Sequence, residues 1–115
     1  MIRNVFLGLG SNLNDRLEYL KTAASVIGSC GNINIVNSSF IYETEPWGIR
    51  NQNSFLNQVV EIETSFSPSD LLSFIKETES KSGRTERDKW HEREIDIDIL
   101  FFDTLVFNSE NFSVP

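Results

Sequence analysis

Residues 84–102 read RTERDKWHEREIDIDILFF, a basic run followed by an acidic and apolar one. The second half, Ile95 to Phe102, begins in strict alternation and then becomes continuously apolar, which is the pattern of a β-strand. Side chains on a strand point alternately to opposite faces, so Ile95, Ile97 and Ile99 share one face and Asp96 and Asp98 the other. At about 3.3 Å per residue the two carboxylates stand roughly 6–7 Å apart on the same side, where they repel each other and call for positive charge. The upstream run supplies Arg84, Arg87, Lys89 and Arg93, four of the ten Lys and Arg in the chain. A hard divalent cation is the other source, since Mg²⁺ is typically held by one or two carboxylates and substrate phosphates. A half-wet antiparallel strand with its acids in water is the plainer reading. Asp is depleted in strands, however, and two of them among isoleucines cost stability without a packing gain. Cations beside carboxylates suggest a site completed by a polyphosphate.

With 115 residues, 39% of them hydrophobic, the chain is expected to be one domain with a single core. A net charge of −7 argues against a nucleic-acid or membrane-surface protein. The lone cysteine, Cys30, rules out an internal disulfide and fits a reducing compartment. It is expected to be a small buried residue after a helix and not a nucleophile, the only histidine being His91. No signal peptide or membrane-spanning run is expected, because Met1-Ile2-Arg3-Asn4 opens straight into a strand; the expected location is the cytoplasm.

Ile2 to Leu9 predicts a mostly buried strand. Gly8-Leu9-Gly10-Ser11-Asn12 follows, which resembles the start of a dinucleotide fingerprint but has Leu13 in place of the third glycine; a tight strand-to-helix turn is the expectation. Asp15 and Glu18 form a capping pattern for a helix whose buried face is Leu17, Leu20, Ala24 and Ile27, ending near Gly28 to Gly31. Ile33 to Tyr42 predicts a second strand, with a phase change that places a bulge or bend near Val36 to Ser38. Glu43 to Asn53, with Pro46 and Gly48, is a loop whose Trp47 either folds back onto the core or serves a ligand. Phe55 to Thr64 is a third strand, in which Asn57 needs hydrogen-bond partners. Ser67-Pro68-Ser69-Asp70 starts a second helix with Leu71, Leu72 and Ile75 buried; Glu79, on the same stripe, should be paired or hydrogen-bonded. Gly83 ends that helix, and after the Asp strand come a turn at Asp103-Thr104 and a short strand, Leu105 to Phe107. The order β-α-β-β-α-β predicts an α+β, ferredoxin-like antiparallel sheet with both helices on one face.

Several stretches together resemble the 6-hydroxymethyl-7,8-dihydropterin pyrophosphokinase family: Gly8 to Leu13, Tyr42 to Gly48, Phe55-Leu56-Asn57, Gly83-Arg84 and Trp90 to Leu100. The resemblance runs from Phe6 to Pro115 in order and spacing, and its most specific part is Arg93-Glu94-Ile95-Asp96-Ile97-Asp98-Ile99-Leu100. It implies transfer of diphosphate from ATP to the hydroxymethyl oxygen of the pterin, with release of AMP, in folate biosynthesis. By this likeness Asp96 and Asp98 hold two Mg²⁺ ions on the ATP phosphates, and Arg84 and Arg93 are the phosphate-binding arginines; these four are the catalytic set. The same likeness assigns Phe55 to stacking on the pterin, Asn57 to its ring edge, and Thr44, Glu45 and Trp47 to the rest of that pocket. Glu79, Trp90 and Ile99 join Arg84 and Arg93 on the nucleotide side. The implied partners are ATP and the dihydropterin, with no nucleic acid and no membrane, and the implied state is a monomer. His91-Glu92 stands where members commonly have Gly-Pro, and Asn111 where some carry an arginine. The family continues past the position of Pro115, so a single domain, residues 1–115, lacking a C-terminal segment is expected. A non-catalytic ligand-binding module on the same scaffold is the alternative, in which Asp96 and Asp98 face bulk water. An RNA-binding sheet is disfavoured by the net charge and by acids where aromatics should stack.

Overall fold

The computed structural model describes residues 2–13, 15–44, 54–83 and 94–103. Along the chain these form β1 (Arg3–Ser11), α1 (Arg16–Gly28), β2 (Ile33–Ser38), β3 (Tyr42–Thr44), β4 (Phe55–Thr64), α2 (Pro68–Lys81) and β5 (Asp96–Phe102). The strands make one sheet in the order β2-β4-β1-β5, with β3 also on β4, and every ladder is antiparallel. This is the expected ferredoxin-like arrangement, with its second strand in two pieces.

The break in that strand has a local cause. Ile35 lies opposite Ile62 and Asn37 opposite Glu61, so Val36 is an extra residue, the bulge that the phase change predicted. Ser39 then replaces the ladder with its own bonds: its N–H donates to the Val59 carbonyl (2.8 Å) and its Oγ accepts the Val59 N–H (2.9 Å). The chain resumes pairing at Tyr42, opposite Asn57.

Both helices begin where their caps place them. The Glu18 N–H donates to the Asp15 carboxylate (3.3 Å), and the Asp70 N–H to the Ser67 hydroxyl (3.2 Å) with Pro68 at the first helical position. In α1 the buried stripe is Leu20, Ala23 and Ile27, with Ala24 partly buried; Leu17, expected inside, is exposed. In α2 it is Leu71, Ile75, Thr78 and Glu79. These stripes pack on Val5, Leu7 and Leu9 of β1, Val60 and Ile62 of β4, and Ile95, Ile97 and Ile99 at β5, forming one core on one face of the sheet. Gly83, at φ +101°, takes the left-handed conformation that ends α2. Cys30 is half-buried against this core.

One expectation is corrected. Gly8 and Gly10 do not make a turn: both lie inside β1, which runs on to Ser11. Neither has a positive φ, so conformational freedom is not the reason for them. Among the described residues no helix is long and apolar enough to cross a membrane. The expected strand from Leu105 to Phe107 lies outside the described residues.

Candidate active site

On the face away from the helices, the sheet carries a trough. Asn57 of β4 lies opposite Gly10 of β1, and Gly10 opposite Asp96 of β5. In the next row of that face Val59, Gly8 and Asp98 are aligned in the same way. Strands are about 4.8 Å apart, so each glycine leaves a gap about two strand spacings wide between the side chains that flank it. The result is a cavity of about 280 Å³ with glycine backbone as its floor. Phe55, Asn57 and Val59 stand along one side, Asp96 and Asp98 along the other, and Tyr42 and Thr44 of β3 extend the first side.

The glycines are there for clearance. A Cβ on Gly10 would lie 3.2 Å from the Asn57 Oδ1 and 3.3 Å from the Phe55 Cδ1, and a Cβ on Gly8 would lie 3.2 Å from Leu100. Leu100 reaches that position through a bulge. Leu7 pairs with Ile99 and Phe6 with Phe101, so Leu100 is extra. The bulge also explains the continuous apolar run: Phe101 meets Phe6 edge-on over the open face, at 6.2 Å between centroids, while Phe102 returns to the core.

Asn57 finds the partner it requires, its Nδ2 donating to the Thr44 Oγ1 at 2.7 Å. The amide oxygen is thereby left on the side of Gly10, inside the trough. Asp96 and Asp98 are half-buried on one face, with Ile95, Ile97 and Ile99 buried on the other. They are the only described carboxylates that line the cavity. Among the described residues no three His, Cys, Asp or Glu side chains converge. Two carboxylates on one face of a strand suit Mg²⁺, which takes its remaining oxygens from phosphate and water.

Two residues expected on the nucleotide side do not line this cavity. Glu79 is buried on the helix side of the sheet, where its Oε2 accepts the Ile97 N–H at 2.8 Å. It meets the requirement that a carboxylate on an apolar stripe be hydrogen-bonded, and the bond it accepts lies at the edge of β5 away from β1. Ile99 sends its side chain into the core at 2% exposure. Glu45, Trp47, Arg84, Trp90 and Arg93 lie outside the described residues.

A polar cluster at the rim was not foreseen. Arg16 Nη1 donates to the Glu43 Oε2 (2.9 Å), the Ser54 carbonyl (2.8 Å) and the Ser54 Oγ (3.3 Å), and the Ser54 Oγ donates to the same Glu43 oxygen (2.8 Å). The Ser54 hydroxyl and the Arg16 guanidinium hold the Glu43 carboxyl below the usual carboxylate range. A signal existed in the sequence. Arg16 opens a helix, where a cation opposes the helix dipole, so its place there points to a partner outside the helix.

The model of the family described as 7,8-dihydro-6-hydroxymethylpterin-pyrophosphokinase (HPPK) matches residues 6–115. The chain is 43% identical over 111 residues to the 2-amino-4-hydroxy-6-hydroxymethyldihydropteridine pyrophosphokinase of Aquifex aeolicus, covering 96% of this chain and 68% of that protein. It is 38% identical over 110 residues to the protein of that name from Bacillus subtilis (96% and 66%), and 34% identical over 110 residues to the one from Haemophilus influenzae (96% and 69%). It thus spans about two thirds of the length of these curated relatives. The chain belongs to the 7,8-dihydro-6-hydroxymethylpterin-pyrophosphokinase family.

Proposed function

We propose that the protein transfers the β,γ-diphosphate of ATP to the hydroxymethyl oxygen of 6-hydroxymethyl-7,8-dihydropterin, giving the pterin diphosphate and AMP, as a cytoplasmic monomer in folate biosynthesis. The observation that carries this reading is the glycine-floored trough, which sets Asn57 and Phe55 across from Asp96 and Asp98 in a chain of this family. Its volume, just under the roughly 300–1,000 Å³ of small-molecule sites, suits a flat bicyclic ring but not a ring and a nucleotide together. The pterin lies over Gly10, its face against Phe55 and its edge at the Asn57 amide oxygen, which accepts from a ring N–H. The triphosphate lies over Asp96 and Asp98.

Asp96 and Asp98 would hold two Mg²⁺ ions, which would offset the charge on the phosphate oxygens and make the β-phosphorus more electrophilic. The chain's own part is positioning. Phe55 and Asn57 fix the pterin so that its alcohol oxygen meets the β-phosphorus roughly in line with the bridging oxygen of AMP. A bond forms from that oxygen to the β-phosphorus, the bond from the β-phosphorus to the α,β-bridging oxygen breaks so that this oxygen leaves on AMP, and the alcohol proton passes to solvent. Arg84 and Arg93 are assigned to the charge that develops on the phosphate oxygens.

The trough disfavours the non-catalytic reading, in which the two acids stand apart from the other site residues, since they line one cavity together with Asn57. The deciding assay is AMP release from ATP with and without the dihydropterin. Dependence on both substrates, with the diphosphate recovered on the pterin, is expected. AMP release that ignores the pterin, or orthophosphate in place of pterin diphosphate, overturns the proposal.

A further inference from the structure

Arg16 is joined to two segments distant in sequence, by 27 residues to Glu43 and by 38 to Ser54. Glu43 directly precedes Thr44, and Ser54 directly precedes Phe55. One guanidinium nitrogen therefore ties the end of β3 to the start of β4, one residue before the side chains that wall the trough. The β3–β4 ladder itself is only three pairs long, Tyr42 with Asn57, Glu43 with Leu56 and Thr44 with Phe55. So short a ladder on a sheet edge frays readily unless something closes its end. The Thr44 hydroxyl that holds the Asn57 amide belongs to its last pair.

We infer that Arg16, with Glu43 and Ser54, is a positioning group for pterin recognition: it closes the β3–β4 end and so fixes Thr44, Phe55 and Asn57 against the ring. The inference rests on the trough being the pterin site. Arg16 is not among the residues lining the cavity and acts through others. The ion pair, with Arg16 28% and Glu43 56% exposed, contributes little as charge attraction alone; its role comes from geometry, one donor shared among three acceptors on two segments. Asn57, with one N–H held by Thr44, keeps its oxygen toward Gly10 and the trough. Released from Thr44, the amide can turn and present its NH₂ instead, which exchanges an acceptor for a donor at the ring edge.

The test compares Arg16→Met, which keeps the apolar stem, with Glu43→Gln and the conservative Arg16→Lys. Amide hydrogen exchange reads the clasp directly. Faster exchange in Arg16→Met at residues 42–44 of β3, with the β1–β5 ladder and the Arg3–Leu9 part of the β1–β4 ladder unchanged, is expected. Titration and kinetics read its consequence: dihydropterin Kd and KM rise roughly tenfold, the KM for ATP stays put, kcat changes less, and Arg16→Lys recovers part of the loss. Glu43→Gln shifts the same quantities in the same direction by less. Unchanged exchange overturns the clasp. Faster exchange with unchanged pterin affinity overturns its role in recognition while leaving the proposed activity standing. Wild-type protein that does not bind the dihydropterin at all overturns the reading on which the inference rests.

Discussion

The two faces of β1 and β5 are made by alternate residues of the same strands, yet they differ in every physical respect. On β1 the helix side carries Val5, Leu7 and Leu9, and the other side Phe6, Gly8 and Gly10; on β5 the contrast is Ile97 and Ile99 against Asp96 and Asp98. Each buried aliphatic side chain on the first face contributes about 1.5–3 kcal/mol relative to exposure. On the second, each strand glycine costs about 0.5–1 kcal/mol in backbone entropy, and the two neighbouring carboxylates add repulsion. One face holds the domain together, and the other is tolerated because of it. Period-two alternation thus lets a 115-residue chain place its stability and its chemistry one sheet thickness apart.

If that division is real, substitutions on the two faces should be separable, and the largest effect belongs to the acids. Asp96→Asn and Asp98→Asn should each lower turnover by about 10³-fold or more, the scale seen when a group that stabilises transition-state charge is removed, while the melting temperature holds or rises slightly as repulsion is relieved. A large fall in Tm for either variant breaks the comparison. The mirror experiment is Ile99→Ala, one position along on the other face. It should cost about 2–5 kcal/mol of stability, visible as a Tm lower by roughly 10 °C or more, with both KM values unchanged well below the transition. Altered ATP affinity there would mean that Ile99 also serves the nucleotide side, as the family resemblance implies.

Gly10→Ala tests the floor between the faces. With no positive φ at Gly10, alanine fits the backbone and recovers about 0.5–1 kcal/mol of entropy. Its methyl, however, rises from the trough floor and crowds Asn57 and Phe55, each of which must give by a few tenths of an ångström. The expected outcome is a several-fold rise in dihydropterin KM, on the order of 1 kcal/mol, without loss of Tm. Unchanged KM would mean that the pterin does not lie over that glycine.

How much of this was legible depends on range. The alternation at Ile95 to Ile99 is local, and so are the caps at Asp15 and Ser67; each is written in a few adjacent residues and each is found in the structure. Even the bulge at Val36 was readable, because it shifts the apolar phase within one strand. Gly8 and Gly10 were misread for the opposite reason. A sequence shows that a side chain is missing but not whether the cause is conformation or a neighbour, and here the neighbours come from β4 and β5. Ala23 replaced Leu17 inside because the stripe that faces the sheet is set by how α1 lies on it, which helical spacing alone leaves open. Glu79 was recognised as needing a partner, but that partner is a backbone N–H of β5, which carries no mark in the sequence.

The smallest effect lies at the rim, where neither face is buried, and its sign follows from the protonation of Glu43. The Ser54 hydroxyl and the Arg16 guanidinium lower its folded pKa below the ordinary 4.5. A carboxyl with a depressed folded pKa adds stability that is fully present above the unfolded value and lost as pH falls through the folded one. The stability difference between the wild type and Glu43→Gln should therefore be constant from neutral pH down to about 4.5 and close below it. Chemical denaturation of both proteins across that range measures it. A difference that persists undiminished in acid would mean that the clasp works through the hydrogen-bonding shape of the side chain, which glutamine only partly reproduces, and not through its charge. In that case Ser54→Ala should reproduce it, because the hydroxyl is the one member of the cluster that both donates to Glu43 and accepts from Arg16.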